Sequence, residues 1–411
     1  LPNSDELARI KGISPQGHMT HKEVIKMLLN IGQTNFDLGE KFEYSNTGYE
    51  LLAEIIERVG GKPFNDQLTE RIFQPLGMNN SAAIPNGNTI IKNKAYSYRM
   101  INETYVNHPI QNSTVGSGGI SATINDMIIW MKNYQNPIVG SRTFFKRLEQ
   151  PTYLNSGKDT GYGNGLYYGN YKGLEVVFCG GGSAGYRSYI LHIPDHKLSV
   201  MILANTNDFT PLDIVHGTID ILLKDEIKVD NEKVAPLSSA VLKEYEGTYQ
   251  VEPGVFYNII AEKDSLYFQS YGEEDRTVMP YLGGGSFKFL GMPHSKFVFD
   301  KNKFDFHIAD FIYEGNKRTI AHPEVNELSL IECTGIFKNE DHQIIYELFL
   351  DNKKLFLVKP NTSPVELTYL SSTSFYSKYF GQVDFNFNAN NKVTSLKISG
   401  QNFKNIVFVK Q

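Results

Sequence analysis

The stretch Gly39-Glu40-Lys41-Phe42-Glu43-Tyr44-Ser45-Asn46-Thr47-Gly48-Tyr49 runs straight into Glu50-Leu51-Leu52-Ala53-Glu54-Ile55-Ile56-Glu57-Arg58-Val59-Gly60-Gly61. Leu51, Leu52, Ile55, Ile56 and Val59 recur at the spacing of one helical face, which predicts a core-facing helix. Asn46 or Thr47 is the expected cap and Gly60-Gly61 the expected stop. Tyr44 then stands just ahead of a helix N-terminus, where a phenol near a lysine has its pKa lowered toward neutral pH. Taken alone, Tyr44-Ser45-Asn46 also reads as a buried turn tyrosine followed by a helix cap.

Around this segment the pattern is mixed. Core-facing helices are expected over about Glu23 to Asn30, Asn65 to Phe73 and Asn125 to Tyr134, the last with Met127, Trp130, Met131 and Tyr134 on one face. Strands follow at Leu174 to Cys179, Tyr186 to Ile193 and Lys197 to Ala204, with Pro194-Asp195-His196 as a turn. A closing helix is expected with Thr210 as cap, Pro211 at its first position and Ile214 to Leu223 as its apolar face. The glycine-rich segment Val177-Phe178-Cys179-Gly180-Gly181-Gly182-Ser183-Ala184-Gly185-Tyr186 lies at a strand end entering the hairpin.

Three groups of residues carry a family resemblance. Tyr44-Ser45-Asn46, with Thr47-Gly48-Tyr49 after it, resembles the Tyr-x-Asn motif of the penicillin-recognising serine hydrolases. That family includes class C β-lactamases, D-aminopeptidases, D-alanyl-D-alanine carboxypeptidases and related esterases. Pro75-Leu76-Gly77-Met78 and Gly118-Gly119-Ile120-Ser121-Ala122-Thr123-Ile124-Asn125-Asp126 are similar to further segments of it. Cys179-Gly180-Gly181-Gly182-Ser183 resembles its sheet-edge motif, Lys-Thr-Gly or His-x-Gly. The resemblance covers most of residues 1 to 225 and implies acyl-enzyme hydrolysis of amide or ester bonds in small peptides, D-amino-acid derivatives or esters. It implies Tyr44 as general acid or base, Asn46 as a hydrogen-bonding anchor for the substrate amide and the catalytic lysine, and the Gly182 N–H as half of an oxyanion hole. Cys179, Gly180, Gly181 and Ser183 would line the substrate strand.

Two departures qualify what the resemblance implies. Cys179 stands where the family usually has His or Lys, and a neutral thiol cannot attract a substrate carboxylate, which favours amine-bearing or neutral substrates. No His lies nearby in sequence to serve as its base, so Cys179 is expected to be a small buried hydrophobe on a strand rather than a nucleophile. The family's nucleophile motif, Ser-x-x-Lys, is also missing, because no serine in the chain is followed three residues later by lysine. In the family that motif lies upstream of the point where these residues start, so the chain is expected to be a truncated product, inert by itself. A catalytically degenerate binding protein for peptide or cell-wall fragments is the rival reading. Export to the periplasm or beyond is the family expectation, although Leu1-Pro2-Asn3-Ser4-Asp5 carries no secretion signal.

After Asn231-Glu232-Lys233 short alternating runs dominate, and the segment repeats itself. Leu242-Lys243-Glu244-Tyr245-Glu246-Gly247-Thr248-Tyr249 aligns with Leu330-Ile331-Glu332-Cys333-Thr334-Gly335-Ile336-Phe337. Leu266-Tyr267-Phe268 answers Leu355-Phe356-Leu357, and Tyr281-Leu282 before Ser286-Phe287 answers Tyr369-Leu370 before Ser374-Phe375. The expected fold is therefore a partial β-lactamase-like helix and antiparallel-sheet domain over 1–230, then two small antiparallel β-barrels over 231–326 and 327–411. The barrels resemble the lipocalin-like C-terminal domains of D-aminopeptidase-like proteins. Barrels this small are filled by their own side chains, so packing on the hydrolase is expected of them rather than ligand binding.

Composition removes other classes. With 411 residues, 41% hydrophobic and 21% charged, the chain has room for two or three domains. Its net charge of −5, with basic residues scattered, gives no footprint for nucleic acid. No apolar run is long enough to span a membrane as a helix. Only Cys179 and Cys333 occur, in separate expected domains, so no disulfide framework is expected. His18 and His21 lack a second ligand pair, and Gly180-Gly181-Gly182 lacks the Lys-Ser/Thr of a phosphate loop, so neither metal nor nucleotide cofactor is expected.

Overall fold

The structure is a computed structural model describing residues 1–13, 20–29, 34–84, 89–110, 114–228, 235–290, 295–308, 311–320, 327–359 and 362–411. Its described residues form two compact units: one holds those of Leu1–Pro15, Asn30–Phe36 and Glu232–Gln411, the other those of Gln16–Leu29 and Asp37–Asn231. The breaks expected at 230–231 and at 326 lie outside the described residues.

The second unit is the β-lactamase-like one. Its sheet runs Tyr162–Gly163, Leu166–Tyr171, Leu174–Ser183, Tyr186–Ile193 and Leu198–Ala204, each strand antiparallel to the next. Alternation sends Leu174, Val176, Leu191 and Ile193 to one face, where Val215 and Ile219 of the closing helix Pro211–Leu222 cover them. On the other face His192 meets Tyr134 of the Ile124–Gln135 helix edge-on, ring centroids 5.2 Å apart. Asp126 in that helix is buried and accepts hydrogen bonds from the Asn80 amide at 2.7 Å and the Ser81 hydroxyl at 2.8 Å. Leu76 and Met78 pack on Met127 and Trp130 of the same helix, so the Pro75–Met78 segment singled out in the sequence is joined to the helix that follows Gly118–Thr123.

Helix boundaries differ from expectation where caps decide them. The first helix of this unit spans His21–Leu28 and starts early, because Thr20 and Glu23 form a reciprocal capping box. The helix expected at 65–73 is Phe64–Leu68, continued by a π-helical turn, Thr69–Phe73, and Gln74–Leu76. The helix after Tyr44 spans Asn46–Gly60, with Ser45, rather than Asn46 or Thr47, at the N-cap and Gly61 in the left-handed conformation that ends it.

Its burial corrects the sequence reading. The face that packs inward carries Thr47, Glu50 and Ala53, against a loop in which Ser117 donates to Glu50 at 3.1 Å. Leu52, Ile55, Ile56 and Val59, expected in the core, are exposed, Val59 at 85%. The periodicity was a true amphipathic signal, but nothing among the described residues covers that stripe. No helix of the described residues is long and apolar enough to cross a membrane.

The other unit contains two barrels built to one plan. Residues 335–410 form a closed eight-stranded barrel. Residues 247–318 form a nine-stranded sheet whose two terminal strands, Thr277–Met279 and Tyr281–Gly283, are consecutive in the chain and meet at Pro280. They stand for the single strand Val365–Ser371 of the second barrel, interrupted where proline has no N–H to give. The repeat holds at the level of register: Tyr281 faces Phe287 and Gly283 faces Ser286, as Tyr369 faces Phe375 and Ser371 faces Ser374, with the same irregularity between. Both interiors are filled, by Tyr249, Phe287, Phe297 and Phe304 in one and Phe337, Tyr346, Phe403 and Phe408 in the other, all fully buried.

A short helix precedes each barrel, Ser239–Tyr245 and Glu327–Glu332, and a lysine from the last strand reaches its C-terminal end. Lys317 donates to the Glu244 carbonyl at 3.0 Å and Lys410 to that of Glu332 at 2.7 Å, the favourable place for a cation on a helix. The N-terminal helix Ser4–Ile10 packs with the second barrel, with Leu7 and Ile10 buried. Tyr346 donates to the Ile10 carbonyl at 2.6 Å and Lys359 to that of Arg9 at 3.0 Å.

Candidate active site

The Asn46–Gly60 helix places Tyr44 and Asn46 at its N-terminal end, the positive end of the helix dipole. Tyr44 is 42% exposed, not a buried turn residue. Its ring lies 6.1 Å from that of Tyr49, one turn into the helix, and 6.3 Å edge-on from Tyr162 of the sheet. The Tyr49 and Tyr162 hydroxyls are hydrogen-bonded to each other. Tyr162 packs at 4.7 Å on Tyr167, which stacks at 5.5 Å on Phe178, so an unbroken line of rings leads from Tyr44 to the glycine-rich strand. Burial first, then Tyr44 and Cys179, push the Tyr49 phenol up to about 12. Tyr49 thus sits electrostatically between the two sequence-predicted groups, a linking role that one-dimensional spacing does not reveal.

The glycine-rich segment is an open edge. The last residue of its strand to pair with Leu166–Tyr171 is Phe178, opposite Tyr167. From Cys179 to Ser183 the strand pairs, among the described residues, only with Tyr186–Ile190, and all five residues are exposed. An edge of this kind accepts another extended chain. The neighbouring strand supplies a second reason for the glycines: a Cβ at Gly180, Gly181 or Gly182 would press on Tyr189, Ser188 or Arg187, at 3.1, 2.6 and 3.2 Å. The hairpin tip is anchored by the Gly185 amide donating to Ser97 at 2.8 Å and by Tyr186 donating to the Ala95 carbonyl at 2.5 Å.

Cys179 is therefore not the buried strand hydrophobe expected, because the partner strand stops one residue short of it. The residue is exposed, yet its sulfur is desolvated enough to hold the thiol above its ordinary value. Less thiolate then exists at neutral pH than in a free cysteine. Alkylation of Cys179 by iodoacetamide is expected to be slow at pH 7 and to climb about tenfold per pH unit through pH 9. Peptide mapping against pH checks this, and fast labelling below pH 7 would mark an activated thiol instead. Cys333 is buried and in no disulfide, in the other unit.

With this geometry in view, the comparisons with known proteins are specific. The β-lactamase family model matches residues 13–223. A penicillin-binding protein of Bacillus subtilis (strain 168) is 26% identical over 276 residues, 62% of this chain and 61% of that protein. The D-aminopeptidase of Brucella ovis is 28% identical over 196 residues, 47% of this chain and 37% of that one. Less than two-thirds of either relative is spanned. Among solved structures, the octameric penicillin-binding protein homologue from Pyrococcus abyssi matches in fold, with a TM-score of 0.50 and 20% identity over 88% of this chain and 74% of that one.

Proposed function

The chain belongs to the β-lactamase family of serine hydrolases, and on that premise we propose that it supplies the proton-transfer and oxyanion groups of an acyl-transfer site. The reaction is hydrolysis of amide or ester bonds in small peptides or D-amino-acid derivatives. The carrying observation is the convergence of the Tyr44 phenol and the open Cys179–Ser183 edge around Tyr49. Substrate lies along the edge as an added strand, with its carbonyl oxygen at the Gly182 N–H. A serine attacks the carbonyl carbon, its proton passes through a lysine and Tyr44 to the amine or alcohol that departs as the C–N or C–O bond breaks, and water later releases the acyl group. Asn46 steadies the substrate amide. Cys179 brings no positive charge, which supports neutral or amine-bearing substrates over carboxylates.

Serine and lysine come from a Ser-x-x-Lys segment that these 411 residues do not contain. The uncovered stripe Leu52, Ile55, Ile56 and Val59 supports a further apolar element docking there. Export from the cytoplasm belongs to the same reading. Cys179, in place of the usual His or Lys, favours a second reading, a hydrolase fold that binds peptide or cell-wall fragments without cleaving them.

Intact-mass analysis after incubation with a fluorophosphonate, and separately with a penicillin, decides between them. The chain alone is expected to stay unlabelled, and a chain extended upstream through Ser-x-x-Lys to gain a single fluorophosphonate adduct. An extended chain that binds peptide or glycan yet takes no adduct would overturn the enzyme reading.

A further inference from the structure

Outside the site just described, the described residues contain one cluster of three metal-ligating side chains: His21, Glu54 and Glu57, whose ligand atoms lie within 4.8 Å of one another. His21 is the first residue of the His21–Leu28 helix, and the glutamates lie three apart on one side of the Asn46–Gly60 helix. Both nitrogens of the His21 ring are buried, and neither makes a hydrogen bond. Its side chain is only 11% exposed. A buried imidazole whose two nitrogens make no hydrogen bond is costly, and one beside two carboxylates is ready to ligate.

The spacing argues for a shared ion rather than a direct bond. His21 Nε2 and Glu54 Oε2 are 3.4 Å apart. That is long for a charge-assisted hydrogen bond, but two ligands about 2.1 Å from a tetrahedral ion are separated by about 3.4 Å. Each carboxylate is also held by its other oxygen: Glu54 Oε1 accepts from Arg58 Nε at 2.7 Å, and Glu57 Oε1 accepts from the Phe64 amide at 2.8 Å. Such outer bonds to ligand carboxylates are the arrangement that orients ligands in built metal sites.

We propose that His21, Glu54 and Glu57 bind a zinc ion that clamps the start of the His21–Leu28 helix to the Asn46–Gly60 helix. One imidazole and two carboxylates, with water as a fourth ligand, suit zinc better than magnesium or calcium, which take all-oxygen shells. The ion is structural. Glu54 and Glu57 stand eight and eleven residues beyond Asn46, about 12 and 17 Å along the helix from the Tyr44 end. The histidine's partners come from a distant helix, which is why spacing around His18 and His21 did not predict a site; His18 lies outside the described residues.

The test is calorimetric titration of the EDTA-stripped full-length protein with zinc chloride. One ion is expected per chain at this site, with zinc raising the melting temperature. His21→Ala and Glu57→Gln are each expected to weaken binding by at least about 100-fold and to abolish the thermal gain. Glu57→Gln keeps a carbonyl for the Phe64 amide, so its loss of zinc is not a loss of fold, and circular dichroism verifies that. Cys179→Ser is expected to change nothing, which removes the exposed thiol as the zinc ligand. Absence of binding up to about 100 µM zinc, or binding that survives both ligand variants, overturns the proposal and leaves the three side chains as an ion-paired helix contact.

Discussion

Tyr44→Phe, in a protein that carries the upstream serine and lysine, is expected to lower kcat/KM on a chromogenic D-amino-acid anilide by about 10²–10⁴-fold, the usual worth of a positioned acid–base group. That corresponds to about 3–5 kcal/mol of transition-state stabilisation. Phenylalanine keeps the ring contacts with Tyr49 and Tyr162 at 6.1 and 6.3 Å, so the loss isolates the hydroxyl. Tyr49→Phe is the control. Its phenol, pushed up to about 12, is too weak an acid to exchange protons near neutral pH, so its removal breaks the bond to Tyr162 with far less effect on rate. If Tyr49→Phe abolishes activity while Tyr44→Phe retains most of it, the roles assigned here are wrong.

Much of this architecture is legible in the sequence, for stated physical reasons. The Tyr186–Ile193 strand, the Pro211 helix start and the barrel repeat all rest on local signals: period-two alternation, a proline at the first helical position, and self-similarity that survives in register. What escaped depends on partners distant in the chain. Exposure of Cys179 depends on where the neighbouring strand ends, exposure of Ile55 and Val59 on what covers them, and the loyalty of Leu7 and Ile10 on a barrel more than 300 residues away in sequence. Hydrophobic periodicity says which face wants burial and is silent on what supplies it. Tyr44 and Asn46 were singled out through their motif, whereas the contacts of Tyr49 and Tyr162 with Tyr44 became visible only once the sheet and helix were brought together.

The loop packed against the Asn46–Gly60 helix supplies the sharpest stability test, because two glycines two residues apart play opposite parts. Gly116 has φ +99°, and a Cβ there would lie 2.3 Å from the Tyr49 carbonyl oxygen and 2.8 Å from the Ala53 Cβ. Gly118 has open space around it, with nothing within 4 Å. Gly116→Ala combines left-handed backbone strain of about 1–2 kcal/mol with overpacking of about 1–3 kcal/mol against helix backbone that cannot yield. The expected loss is therefore about 2–5 kcal/mol, while Gly118→Ala stays within about 1 kcal/mol of neutral. Trp130, the one tryptophan of the chain, lies in the Ile124–Gln135 helix of the same unit, so its fluorescence follows this unit without interference from the barrels. Urea unfolding watched through Trp130 should shift its midpoint down by on the order of 1 M for Gly116→Ala and barely move for Gly118→Ala. Equal, small shifts would mean that the loop does not press on the helix at Tyr49. The close approach that sets where the Tyr49 hydroxyl stands, and with it the line of rings from Tyr44 to Cys179, would then have to be sought elsewhere.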